Sequence, residues 1–280
     1  MGYVFTPREF SEGKVPSSLD YGIARKALRD GLLKLCKEGI IYGAKMHGST
    51  FHTDGGPGSD IDIFVVTNSL ESSKQLRELK NRVQGPTHVP VEFVPRQRHM
   101  TEQGYHDIGC FYFRYMQDFG ITIGNDPLQV VKPLAEWDDP RAEVMKRLEK
   151  QMLKFSKDDA NIPRNYGEAH CDFLERLLRQ PIYAAIDMLR LRSGSTYPSS
   201  DRVPLSKYQC CQLYQEEFSL HVEDLSAVMQ ARLKYREFLK SDKPKTPAEY
   251  VGFLEELDGL YLNAVRFIGM NFDFLSANHL

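Results

Sequence analysis

Residues 46–66 read MHGSTFHTDGGPGSDIDIFVV, and several kinds of local chemistry follow one another within them. A β-prone run ends at Met46 and meets a Gly48-Ser49 turn. A glycine-rich excursion then carries Gly55, Gly56, Pro57 and Gly58. A second β-prone run opens with Asp60 and Asp62 and continues to Thr67. On a strand, residues i and i+2 point to the same face. The two carboxylates are therefore expected side by side, while Ile61, Ile63 and Val65 bury the opposite face.

Adjacent carboxylates on an apolar strand repel each other. Their simplest stabiliser is a divalent cation, and an all-oxygen ligand set suits Mg²⁺ or Mn²⁺. Glu92, between Val91 and Phe93, offers a third acid from another β-prone run. Three acids meeting on adjacent strands make a two-metal phosphoryl-transfer site. Gly48 would let the backbone approach a phosphate, and Ser49 would offer its N–H and hydroxyl to the phosphate oxygens. The bland alternatives are a turn with solvated acids and, for Glu92, an edge-strand glutamate facing water. His47 and His52 flank the loop and read as solvated loop histidines within reach of a phosphate.

Outward from this stretch, the first half alternates helix and strand signals. Residues 19–37 place Ile23, Ala27, Leu28, Leu32 and Leu35 at helical spacing, and Gly39 stops the pattern. Strands are expected at 40–46, 61–67, 89–94 and 121–124, and helices at 70–83 and 111–119. Pro90 and Pro95 put the third strand near a sheet edge. After Pro133 the strand signals vanish. Helices are expected at 141–155, 166–191, 205–218, 222–239 and 248–272. The expected fold class is α+β, a small-sheet domain over residues 1–135 followed by an α-helical bundle over 136–280.

Gly48-Ser49, ten intervening residues, then Asp60-Ile61-Asp62-Ile63 resembles the signature of the DNA-polymerase-β nucleotidyltransferase superfamily. Glu92 falls where that superfamily carries its third acid. The resemblance implies a small mixed sheet, catalytic metal ligands at Asp60, Asp62 and Glu92, and an NTP substrate, with ATP as the family default. Residues 113–126, closing on Phe119-Gly-Ile-Thr-Ile-Gly-Asn-Asp126, resemble the end of the catalytic domain in antibiotic adenylyltransferases. Residues 182–207, with Arg192-Ser-Gly194 and Leu205-Ser-Lys207, resemble the helical domain of streptomycin/spectinomycin-type enzymes. Carried over, Lys207 becomes a phosphate ligand and Arg190 a second one. The loop before Ser206 is longer than in that group, and the arginine lies nearer the glycine. Without the resemblance, Lys207 reads as a solvated lysine at a helix start, and Arg190 and Arg192 as a basic last turn complementing the helix dipole.

The proton acceptor for an attacking hydroxyl is Glu92 or an acid of the helical domain, Glu168 or Asp172. These last two are four apart and share one helix face, with Tyr166 two residues before them. They fit a cationic acceptor whose ring stacks on Tyr166, or else are first-turn acids that complement the helix N-terminus.

Composition narrows the classes. With 36 Lys+Arg against 38 Asp+Glu the net charge is −2, which argues against a chain built to grip nucleic acid. The five cysteines, Cys36, Cys110, Cys171, Cys210 and Cys211, show no CxxC or Cys/His ligand spacing. They read as reduced thiols in a cytoplasm. No window is apolar enough for a membrane span. A small-molecule nucleotidyltransferase is thus the first expectation. Transfer to tRNA or to a protein, and a non-catalytic nucleotide sensor on the same fold, are the alternatives.

Overall fold

A short helix, α1 (Pro7–Ser11), and a long one, α2 (Ser18–Lys37), precede the strands, and each starts at a capping box, Thr6 with Glu9 and Ser17 with Asp20. The structure is a computed structural model that describes residues 3–48, 58–194, 196–200, 203–240 and 246–278. The chain divides into two units, Pro16–Asp138 and a second composed of Gly2–Val15 with Asp139–Leu280.

In the first unit α2 leads to β1 (Ile41–His47), β2 (Ile61–Thr67), α3 (Ser72–Thr87), β3 (Val91–Gln97), α4 (Arg98–Gln103), α5 (Cys110–Phe119) and β4 (Ile121–Gly124). The strand order is β3-β2-β1-β4. β1 runs antiparallel to β2 and β4, whereas β2 and β3 are parallel, so the sheet is mixed and the fold is α+β. Period-two alternation sends the two faces of β2 into two different cores. Ile61, Ile63 and Val65 join Leu28, Leu32 and Leu35 of α2 and Leu76, Leu79 and Val83 of α3. Phe64 and Val66 join Met116 of α5 with Leu128 and Val131. Each fully buried aliphatic side chain contributes about 1.5 to 3 kcal/mol.

Two expectations about this unit need correction. The buried stripe of α2 starts at Tyr21 and runs through Ala24, Leu28, Leu32 and Leu35. Ile23, roughly 200° around the helix from Tyr21, is exposed. His47 is not a loop residue. It is the last residue of β1 and only 3% exposed.

The second unit holds α6 (Pro140–Asn161), α7 (Glu168–Arg192), a two-residue-per-strand hairpin of β5 (Ser199–Ser200) and β6 (Val203–Pro204), then α8 (Lys207–Glu217), α9 (Val222–Lys240), α10 (Pro247–Asp258) and α11 (Tyr261–Ala277). α7 packs against α6, α8, α9, α10 and α11. It is accordingly apolar around most of its circumference, with Phe173, Leu174, Leu177, Ile182, Ala185 and Ile186 all buried. Nothing in the sequence signals the hairpin, whose strands are too short for any alternation to show. The single helix expected over 248–272 is two helices. Its apolar periodicity continues past Gly259, but there the Gly259 N–H turns back to Glu255 and Leu257 and the chain restarts at Tyr261.

The domain boundary expected near residue 135 places residues 3–15 with the first half, yet Gly2–Val15 belongs to the helical unit. The Phe5 N–H donates to the Tyr235 hydroxyl at 3.1 Å, the Phe5 carbonyl accepts from Tyr250 at 2.6 Å, and Phe10 stacks on Tyr250 at 4.2 Å. No helix among the described residues is long and apolar enough to cross a membrane.

Candidate active site

The entry to β2 is held from two sides. The Tyr21 hydroxyl of α2 donates to the Ser59 carbonyl at 2.6 Å, and the Ile61 N–H donates to the Pro90 carbonyl at 2.9 Å. Asp60 lies between these anchors. One step on, Asp62 pairs in register with Glu92 of β3 on one side and with His47 of β1 on the other. Carboxylate oxygens of Asp60, Asp62 and Glu92 consequently lie within 4.8 Å of one another.

Asp62 is 7% exposed, whereas Glu92 faces solvent. Like charges this close repel one another, most strongly where burial keeps water from screening them. Three oxygen donors of this kind fit a hard divalent cation. The arrangement can hold such an ion deep at Asp62 and leave Glu92 accessible to an incoming group.

Gly48 closes the β1 end of the site. Its φ is +100°, and a Cβ at this position would fall 2.5 Å from Asp62 Oδ2. Glycine is needed both for its backbone angle and for the carboxylate's room. Ser49 and His52 lie outside the described residues.

Reasoning from sequence did not find Tyr21, nor the His47–Tyr112 pair beside the acids. His47 Nε2 lies 2.8 Å from the Tyr112 hydroxyl of α5, and its ring meets Tyr112 and Tyr115 edge-on. Burial, and then the charges of Asp62 and Glu92, push the Tyr112 phenol well above its ordinary range, so it keeps its proton. Period-two counting on β1 puts Lys45 on the face of His47. Lys45 is 5% exposed and lies 3.7 Å from Asp126.

The remaining candidates belong to the helical unit. Lys207 heads α8 behind the capping box of Ser206 and Gln209, and at 6% exposure it is no solvated surface lysine. Its Nζ is 6.0 Å from the Tyr183 ring centre. Arg190 is 7% exposed, 3.2 Å from Asp187, and lies over the Tyr197 ring at 4.8 Å. Asp187 also meets Arg147 at 2.6 Å. Tyr166, expected inside the helix, precedes it with φ 54°. Its N–H donates to His170 Nδ1 at 3.0 Å, and its ring stacks on His170 at 4.7 Å. Glu168 is the first helical residue, and both it and Asp172 are exposed. Their charges reach Tyr3, whose phenol is pushed up chiefly by burial and by Glu9.

No family model matches the sequence, and no curated protein matches it. Among solved structures the chain is similar to spectinomycin adenyltransferase AAD(9) from Enterococcus faecialis, crystallised with ATP and spectinomycin. The TM-score is 0.46 and the identity 16%, over 85% of this chain and 98% of that one. A likeness this slight carries no functional weight.

Proposed function

We propose that the chain is a divalent-cation-dependent nucleotidyltransferase that moves a nucleoside monophosphate, AMP from ATP, onto a hydroxyl of a small acceptor of the amino-sugar class. The observation that carries this reading is the convergence of Asp60, Asp62 and Glu92 within 4.8 Å beside a glycine whose missing Cβ makes room for Asp62. Asp60, Asp62 and Glu92 would hold Mg²⁺ or Mn²⁺, which when bound offsets the triphosphate charge and polarises the α-phosphate.

The chain's own residues then have distinct tasks. Gly48 leaves the approach to Asp62 open. Glu92, the exposed acid, accepts the proton of the acceptor hydroxyl. That oxygen bonds to the α-phosphorus, the bond to the bridging oxygen breaks, and pyrophosphate leaves. Lys207 and Arg190 are assigned to the triphosphate, where charge-assisted contacts are strongest in a dry setting. Glu168 and Asp172, exposed on one face of α7, are assigned to the acceptor's ammonium groups, with Tyr166 beside them. The first unit thus carries the chemistry and the helical unit carries recognition, in a cytoplasmic protein.

The test is mass spectrometry of amino-sugar acceptors after incubation with each NTP and Mg²⁺. The expected result is a gain of one AMP with ATP, absent with Asp62→Asn. No gain on any acceptor with any NTP, or an equal gain with Asp62→Asn, would overturn the reading. A gain on added tRNA or protein instead would redirect the acceptor and keep the chemistry.

A further inference from the structure

His47, Asp62 and Glu92 occupy successive register positions across β1, β2 and β3. They therefore share one face of the sheet, the face on which Phe64 and Val66 meet Met116 of α5. The outer member of this row is an imidazole where an aliphatic strand end would pack as well. At 3% exposure a buried ring nitrogen must find a partner, because an unmet one costs about 1 to 3 kcal/mol. Nε2 finds it in the Tyr112 hydroxyl at 2.8 Å. Edge-on contacts to Tyr112 at 5.2 Å and Tyr115 at 6.1 Å fix the plane of the ring as well.

We propose that His47 and Tyr112 are positioning residues for the acid cluster, the Tyr112 hydroxyl holding the imidazole in its place across the sheet from Asp62. This rests on the reading of the three acids as a cation site. The side of Asp62 toward β1 is bounded by His47 and Gly48, and the side toward β3 by Glu92. A ring free to turn would leave the first boundary undefined, and with it the space open to the Asp62 carboxylate. The Tyr112 phenol stays protonated beside these acids. Its contact with Nε2 at 2.8 Å anchors the ring within the row. Groups that orient metal ligands from behind typically matter by 10- to 100-fold in metal affinity or activity.

The experiment measures Mn²⁺ binding to the full chain by the electron-spin-resonance signal of the free ion, alongside the transfer rate and the melting temperature. Tyr112→Phe removes one oxygen and keeps the ring. It is expected to weaken Mn²⁺ binding about tenfold, with a matching loss of transfer. His47→Leu should behave likewise, whereas His47→Gln, which keeps a polar group within reach of the phenol, should bind Mn²⁺ close to wild type. Should Tyr112→Phe fail to fold, the contrast between His47→Leu and His47→Gln carries the test. Unchanged Mn²⁺ affinity in Tyr112→Phe and His47→Leu, even with a lowered melting temperature, would overturn the positioning role and leave the cation site standing. A wild-type chain that binds no Mn²⁺ would overturn the cation site itself and this proposal with it.

Discussion

Asp62 on β2 and Asp187 on α7 are both nearly buried carboxylates on regular secondary structure, but Asp187 sits in an ion-pair network and Asp62 in a cluster of acids. Asp187 is met by Arg147 at 2.6 Å and Arg190 at 3.2 Å, with Glu143 balancing Arg147 from one turn away. Asp62 is met by two further acids. A buried charge surrounded by opposite charges serves the fold, because removing it strands its partners. Further acids gathered beside a buried carboxylate add repulsion to its cost, which a bound cation would offset. The same residue type is thus expected to weigh oppositely on stability in the two units, and the contrast is measurable.

The widest separation should appear in stability. Asp187→Ala is expected to lower unfolding free energy by about 3 kcal/mol, at the low end for a broken buried pair because Arg147 is part-exposed. Asp62→Asn and Asp60→Asn should leave stability unchanged or slightly raised without metal, since one repelling charge is gone. Urea denaturation of the metal-free variants reads both. An equal loss from Asp62→Asn and Asp187→Ala would make Asp62 a structural acid and erase the distinction.

Gly48→Ala comes next. A methyl group there meets Asp62 Oδ2 and must adopt a φ of +100°. The strain should cost about 1 to 3 kcal/mol, with cation binding weakened because the carboxylate is the part that gives way. A calorimetric titration alongside the denaturation curve checks both. Full affinity in this variant would show that the carboxylate does not need the space glycine leaves.

Lys207→Ala sharpens the comparison from the helical side. Nucleotide affinity should fall about tenfold or more once no ammonium meets the phosphate oxygens, while acceptor affinity is spared. Equal nucleotide binding would leave Lys207 a structural residue of the helical unit. The smallest effect is expected at Cys171. Burial pushes its thiol up to about 12, and it donates to the Phe5 and Tyr166 carbonyls. Iodoacetamide near pH 8 should leave it untouched in the folded chain and modify it in guanidinium. Rapid native labelling would mean that the Gly2–Val15 segment opens readily.

How much of this was legible depended on whether a feature was local. The burial of Ile61, Ile63 and Val65 follows from strand periodicity alone, whereas Asp60 lies just ahead of β2 and is set beside Asp62 by the anchors at Ser59 and Ile61. The residue spacing also exposed the Gly48 turn. Glu92 could be nominated as a mid-strand acid, but its register with Asp62 is a property of parallel pairing across α3. His47 and Tyr112 lie 65 positions apart, and nothing in either neighbourhood announces the other. Tyr21 stood in plain view on a helix whose apolar spacing runs equally well through Ile23. The break at Gly259 was masked by periodicity that continues through it. The Gly2–Val15 segment was misplaced because its partners, Tyr235 and Tyr250, are distant in sequence.

The central claim is that the acid cluster binds a nucleotide only together with a divalent cation. Thermal unfolding of the wild type and of Asp62→Asn, each with ATP alone, Mg²⁺ alone and both together, tests it most directly. The account predicts stabilisation of the wild type by ATP with Mg²⁺, about 2.7 kcal/mol at a hundredfold excess over Kd, far less with either alone, and none in Asp62→Asn. No shift with any NTP plus Mg²⁺ or Mn²⁺, or an equal shift in Asp62→Asn, would contradict it.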